Sequence, residues 1–113
     1  MQIKIEMDGA NVIMSLEGRL VASNADEFKG MIDKLIERKF INILVDLKRL
    51  EFIDSSGLGS VIAAGKTLAG RDGKLVCCAL NDYVAKVFRI TRADQKITIT
   101  PTRLDGLGIF YNT

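Results

Sequence analysis

Residues 41–60 read INILVDLKRLEFIDSSGLGS, and this stretch contains the change of pattern that decides the fold. Ile41 through Leu47 is an almost continuous apolar run, which is typical of a strand covered on both faces in a parallel sheet. From Leu58 onward the apolar residues recur at helical spacing, so we expect a helix to begin near Ser55. A buried strand followed by an amphipathic helix predicts an α/β domain with this strand at the centre of its sheet.

The residues before this stretch predict a β-hairpin and a first helix. Apolar and polar residues alternate on both sides of Asp8-Gly9, which indicates two antiparallel strands joined by a turn. After Gly18 the apolar spacing becomes helical for about four turns. Ser23 or Asn24 is able to cap this helix, and an Asn-x-x-Glu pattern there predicts a capping box.

The residues after it repeat the alternation of strand and helix. Residues 75–79 predict another buried strand, and Asn81 or Asp82 can cap the helix that follows. Residues 97–100 predict a short strand that ends at Pro101, because proline cannot donate to a ladder.

The segment from Thr102 leaves a terminal helix open. Its apolar residues have helical spacing, but Gly106 and Gly108 each weaken a helix by roughly 1 kcal/mol. The order ββαβαβαβ predicts a mixed, mainly parallel sheet with packed helices and an opening hairpin. At 113 residues the chain fits one domain, which we expect to span residues 1–113.

The composition excludes several classes of protein. The net charge of +2 is too small for a nucleic-acid binder that works by counterion release. No apolar stretch approaches the ~18 residues that would span a membrane. The N-terminus lacks the apolar block of a secretory signal, so we expect a cytoplasmic protein.

Histidine and cysteine, two residues that often carry enzyme chemistry, are absent or few. The chain has no histidine, which removes the usual general base for a serine or cysteine nucleophile. Cys77 and Cys78 are adjacent within a predicted strand, where they point to opposite faces and are expected to be buried, reduced thiols. We therefore expect no cofactor and no metal site.

The most informative polar segment lies between the central strand and the second helix. On local chemistry alone, Ser55 or Ser56 is the expected N-cap of that helix, and the segment is a capped helix start. Phe52 and Ile53 belong to the core or to a docking patch. Helix N-termini also offer unpaired amides to anions, so this junction is a candidate functional site.

The same segment resembles the signature of STAS-domain anti-sigma factor antagonists. The resemblance is carried by Val45-Asp46-Leu47, by Leu50 through Gly59, and by Gly18-Arg19-Leu20, Gly73-Lys74-Leu75 and Val87-Phe88. It extends to about Ile99. Two features depart from the family: Val21 stands where members commonly carry an acidic residue, and the last segment matches the family's final helix poorly.

The resemblance implies a regulatory role for the chain. Ser55 corresponds to the family's phosphoacceptor, and its neighbours form the acceptor loop or the partner-binding surface: Asp54, Ser56, Gly57, Leu58 and Gly59. The implied partners are a serine-kinase anti-sigma factor, which binds the unphosphorylated form, and a PP2C-type phosphatase. The protein itself would not be an enzyme.

Two other interpretations compete with this one. The chain could be a STAS interaction or scaffold subunit of a transport or signalling complex, in which Ser55 is only a cap. It could also be an enzyme, with Gly57-x-Gly59 as a nucleotide cradle or Ser55 as a nucleophile. The second is weaker, because the glycines lack a P-loop lysine and the serine lacks a base.

Overall fold

A computed structural model describes residues 1–111, so the last two residues of the predicted domain, 112 and 113, lie outside the described residues. The strands are β1 (Gln2–Asp8), β2 (Asn11–Leu20), β3 (Asn42–Ile53), β4 (Lys74–Cys78) and β5 (Thr98–Thr100). The helices are α1 (Ala25–Glu37), α2 (Ser55–Ala69), α3 (Asp82–Ile90) and α4 (Arg103–Tyr111), with a 3₁₀ turn at Ala93–Gln95.

The five strands form one sheet in the order β1-β2-β3-β4-β5. β1 and β2 pair antiparallel, and the other three pairs are parallel. The predicted α/β class, the opening hairpin and the central position of β3 are therefore confirmed. Because parallel strands end at one edge of a sheet, the starts of α2 and α3 lie at the same edge.

The central strand β3 is longer than the sequence predicted. We expected it to end at Leu47 and a loop to follow, but it continues to Ile53. Charged residues break the apolar run there, while Leu50 and Ile53 remain buried against the core. The pairing of β2 with β3 continues along this second half of β3, with two register shifts, the second between Gly18 and Arg19. The strand therefore leads directly into the turn before α2.

The sheet has a different core on each face. One face packs against α1, α2 and α3, and the larger cluster of buried residues includes Val45 and Cys77. The other face packs against α4, where Leu44, Cys78 and Phe110 form a smaller cluster. Cys77 and Cys78 are both free and fully buried, as predicted, and they lie on opposite faces because strand side chains alternate.

The terminal segment forms a helix despite its glycines. At Gly106 a Cβ atom would lie 3.0 Å from the Thr100 hydroxyl and closer still to Leu44, so the glycine lets α4 approach the sheet. At Gly108 there is open space, so that glycine has no packing role. Packing of α4 therefore outweighs its low helix propensity.

A polar cluster fixes the start of α4, and we call it the Arg103 latch. The guanidinium donates two hydrogen bonds to the carboxylate of Asp46, at 2.9 and 3.0 Å. It also donates to Glu6 at 3.0 Å and to the Ser15 hydroxyl at 3.2 Å. These bonds raise the pKa of Arg103, chiefly through Asp46. The latch joins α4 to β1, β2 and β3.

Candidate functional site: the turn between β3 and α2

Asp54 organises the turn between β3 and α2. Its Oδ1 accepts a hydrogen bond from the Gly57 amide at 2.8 Å, so Asp54 is the N-cap of α2. Its Oδ2 accepts from the Ala22 amide at 3.0 Å, and its own amide donates to the Leu20 carbonyl at 3.2 Å. These bonds lower the pKa of Asp54, and the bond from Gly57 is the main cause. The turn is therefore tied to the end of β2.

The prediction that Ser55 or Ser56 caps α2 is wrong. An aspartate competes well for the cap position, and here the carboxylate already occupies the Gly57 amide. Ser55 and Ser56 are the first two residues of α2, and both are exposed. The cap does not use either hydroxyl. A group added to Ser55 would therefore not remove the cap.

The remaining acceptor-loop residues differ in how they contribute. Gly57 is buried, and a Cβ atom there would overlap the carbonyl of Leu20. Leu58 is buried in the larger core. Gly59 is exposed and faces open space. Gly57 and Leu58 thus support the turn from inside, while Gly59 lies on its surface.

The loop before α1 does not contain the predicted capping box. Asn24 occupies the N-cap position, but its side chain makes no cap hydrogen bond. Its Oδ1 accepts from the Val21 amide at 2.9 Å and its Nδ2 donates to the Arg19 carbonyl at 2.8 Å. Asn24 therefore closes the loop after β2, and Val21 at the commonly acidic position is half-buried in that loop.

An aromatic stack that the sequence did not predict lies next to the turn. The rings of Phe52 and Tyr83 are stacked with centroids 5.3 Å apart, and the Arg19 guanidinium lies 4.6 Å from the Phe52 centroid. Phe52 is half-buried, whereas Ile53 is buried in the core. Ile53 therefore belongs to the core, and a docking role for Phe52 stays a prediction.

The start of α3, near Tyr83, is fixed by its N-cap. Of the two predicted caps, Asn81 and Asp82, it is Asn81 that caps this helix, by accepting from the Val84 amide at 2.8 Å. Its Nδ2 donates to the Leu50 carbonyl at 2.9 Å, which fixes the start of α3 against β3. The local sequence carries no signal for the stack, because Arg19, Phe52 and Tyr83 belong to β2, β3 and α3.

The Arg103 latch was also missed. Asp46, a carboxylate inside a buried strand, was the signal, because such a group needs a partner. A cleft of ≈ 650 Å³ beside the latch is lined by both acidic and basic side chains, among them Glu17 and Lys48. Within residues 1–111, no group of three His, Cys, Asp or Glu side chains is placed to hold a metal ion.

A comparison with protein families decides the membership of this chain. The model of the STAS domain matches residues 2–105. The chain belongs to the STAS domain family. Over the part described, none of the helices of this STAS domain has the length and apolar character needed to cross a membrane.

Similar proteins include named regulators. The anti-sigma F factor antagonist of Paenibacillus polymyxa is 31% identical and is matched over 95% of this chain and 92% of its own length. The anti-sigma-B factor antagonist of Listeria monocytogenes is 29% identical, over 88% and 90%. The structure of the Bacillus cell fate determinant SpoIIAA in its phosphorylated form superimposes with a TM-score of 0.74 at 22% identity, over 96% of this chain and 99% of that one. The last likeness shows the shared fold.

Proposed function

We propose that this chain is an anti-sigma factor antagonist that its partner kinase switches off by phosphorylating Ser55. The unphosphorylated form binds a serine-kinase anti-sigma factor, and a PP2C-type phosphatase restores that form. The chain acts in the cytoplasm as one domain, residues 1–113, and catalyses no reaction itself. The two antagonists of P. polymyxa and L. monocytogenes, which match most of the chain, support this proposal.

The division of roles at the turn is the observation that carries the proposal. Asp54 caps α2, so the exposed Ser55 hydroxyl is available for modification while the helix stays formed. A protein of the same fold has a phosphorylated form, which also supports the proposal. The absence of histidine disfavours a nucleophilic serine at this position.

We expect a phosphate at Ser55 to change the binding of the partner more than the fold of the chain. A phosphate adds about −1.5 to −2 charges and three acceptor oxygens. At a helix N-terminus this charge is tolerated, because the unpaired amides favour an anion. Beside Asp54, however, it concentrates negative charge on a docking surface. We expect binding to the kinase to weaken by roughly a hundredfold, which corresponds to a few kcal/mol.

The test uses the kinase that co-purifies with the chain from its native cell. Each variant is incubated with this kinase, ATP and magnesium, and phosphate is detected by intact mass. Ser55→Ala should bind the kinase as the wild type does and gain no phosphate. Ser55→Asp should bind more weakly, and Ser56→Ala is the matched control that should still gain one phosphate.

Two results would contradict the proposal. If Ser55→Ala gains a phosphate and Ser56→Ala does not, the acceptor is Ser56. If no co-purified kinase modifies Ser55, the chain is better described as a constitutive interaction or scaffold subunit. Nucleotide-binding and hydrolysis assays on the purified chain test the enzyme alternative directly.

A further inference from the structure

An exposed apolar strip runs along α3, and we call it the α3 strip: Phe52, Tyr83, Val87 and Ile90. The three helical members are spaced i, i+4 and i+7, so they share one side of α3. Tyr83 is 46% exposed and Ile90 is 68% exposed, while Phe52 and Val87 are half-buried. The buried residues of the helix, Val84 and Phe88, lie on the neighbouring side. Val87 packs partly against the larger core, while Tyr83 and Ile90 are apolar surface that the fold leaves uncovered.

The α3 strip begins beside the proposed phosphorylation turn. Phe52 lies two residues before Asp54, and its ring stacks on Tyr83 at 5.3 Å. The other exposed large apolar residues lie elsewhere. Met7 is on β1, opposite Val12 of β2, and the hydroxyl of Tyr111 donates a hydrogen bond to Asp8. Leu104 is on α4, which covers the opposite face of the sheet. Among the described residues, the strip alone joins exposed apolar surface to the turn.

The turn is too small to bind a protein partner alone. A stable interface buries about 800 Å² on each side and involves about 20 residues. The exposed residues of the turn are few and small, chiefly Ser55, Ser56 and Gly59. A partner whose binding depends on whether Ser55 is phosphorylated must therefore also contact a neighbouring surface. Tyrosine and arginine dominate the energetics of such surfaces, and the stack supplies both.

The charges beside the strip define the chemistry of the partner. Lys86 is exposed next to the strip on α3, and Arg19 lies over the ring of Phe52. Asp82 is the only acidic residue of this helix. The complementary surface is an apolar segment flanked by aspartate and glutamate side chains.

We propose that the α3 strip is the second part of the surface that docks the Ser55 kinase, and that it receives an apolar segment of the kinase flanked by carboxylates. This inference rests on the proposed function. Binding through the strip would hold the kinase while Ser55 enters its active site, and phosphorylation would then weaken only the contact at the turn.

The test measures the affinity of strip variants for the purified Ser55 kinase by calorimetry. Ile90→Ser and Tyr83→Ala should each weaken binding at least tenfold, and Lys86→Glu should weaken it more at low salt than at high salt. Leu104→Ser is the matched control, because Leu104 is equally apolar and 79% exposed but lies on α4. This control should bind as the wild type does. Equal thermal melting of all variants establishes that each one is folded.

The outcomes separate the two proposals. If Ser55 is phosphorylated but Ile90→Ser and Tyr83→Ala bind within twofold of the wild type, the docking role of the strip is overturned and the proposed function stands. A Leu104→Ser variant that weakens binding as much as Ile90→Ser also overturns it. If no kinase modifies Ser55, the proposed function fails and the docking role fails with it.

Discussion

At the scale of single residues, the turn depends on Asp54 rather than on the serines that follow it. One carboxylate accepts amides from both α2 and the loop after β2, so it connects two elements with one side chain. A hydroxyl at this position could cap the helix, but it has one oxygen and could not accept both amides in this arrangement. The aspartate of the Asp-Ser-Ser-Gly segment therefore has a structural role, and the serine after it takes no part in the cap.

Replacing Asp54 with alanine should destabilise the protein in a pH-dependent way. The folded-state pKa of Asp54 lies below its ordinary value of 3.8, because the Gly57 amide donates to the charged form. The stabilisation is therefore fully present above 3.8 and is lost as the pH falls through the folded value. We expect Asp54→Ala to lower Tm by about 5 °C at neutral pH.

Thermal melting of Asp54→Ala and the wild type at neutral pH and near pH 3 checks this expectation. The difference in Tm should shrink at the lower pH. Asp33→Ala, at an exposed position inside α1, is the control and should change Tm little. An equal difference at both pH values would show that Asp54 does not stabilise the fold through its charge.

The two glycines of the acceptor loop should respond oppositely to alanine. Gly57→Ala places a Cβ atom against the Leu20 carbonyl and should lower the free energy of unfolding by about 2 kcal/mol or more. Gly59 faces open space within α2, so Gly59→Ala should raise it by up to about 1 kcal/mol. Urea denaturation of both variants measures the difference. A stabilised Gly57→Ala would mean that α2 is less closely packed on β2 than described.

At the scale of elements, α4 depends on its contacts more than on its own sequence. The helix propensity of its sequence is low. Its position is set by Phe110 in the smaller core and by the Arg103 latch at its start. The side chain of Asp46 is only 9% exposed, so removing the guanidinium would leave a nearly buried carboxylate without its partner. The latch therefore stabilises α4 from outside the helix.

Arg103→Ala should loosen α4 more than the rest of the fold. We expect the free energy of unfolding to fall by about 2 kcal/mol, less than for a fully buried pair because the guanidinium is half-exposed. Hydrogen exchange should show faster exchange of α4 amides than of β3 amides. Lys4→Ala breaks only the exposed ion pair of Lys4 with Glu6 and should change stability little. Equal effects of the two variants would contradict the role of the latch.

The elements also show where sequence patterns succeed and fail. Periodicity predicted α1, α2, α3 and the order of strands and helices along the chain, because burial of one helix face leaves a repeat and burial of both strand faces leaves an apolar run. It missed the second half of β3, where charged residues interrupt the apolar run and pairing with β2 keeps the chain extended. It left α4 open because Gly106 is favourable only when the sheet it approaches is known.

Prediction of the site had the same limit. The segment from Asp54 to Gly59 could be recognised from its residue types, but the choice of cap could not. Asp54 is the cap because its second carboxylate oxygen also accepts the Ala22 amide after β2. That hydrogen bond joins residues 32 positions apart in the sequence. The stack of Arg19, Phe52 and Tyr83 is likewise a meeting of three separate elements, so local spacing does not reveal it.

At the scale of the whole molecule, the sheet separates two cores of unequal size. Three helices cover one face, and α4 covers the other. The smaller core has fewer buried residues and is closed by a helix of low propensity, so α4 is expected to open more readily than the larger core. Cys77 and Cys78 report on the two cores separately, because neighbouring strand residues face opposite sides.

Thiol labelling should therefore distinguish local opening of α4 from global unfolding. Burial raises the pKa of Cys78 to about 12 and raises that of Cys77 still further, so neither thiol should react at neutral pH in the closed protein. The variants Cys77→Ala and Cys78→Ala each leave one thiol, and labelling is followed by mass. We expect Cys77 to react only at the rate set by global unfolding.

The Arg103→Ala variant then separates the two cores. Loss of the latch should accelerate labelling of Cys78 at least tenfold while Cys77 changes only as much as global stability does. Gly57→Ala, which strains the larger core, should instead accelerate the labelling of both thiols equally, because it acts through global unfolding. Equal acceleration of both thiols by Arg103→Ala would mean that the two cores open as one unit, and rapid labelling of both in the wild type would contradict their burial.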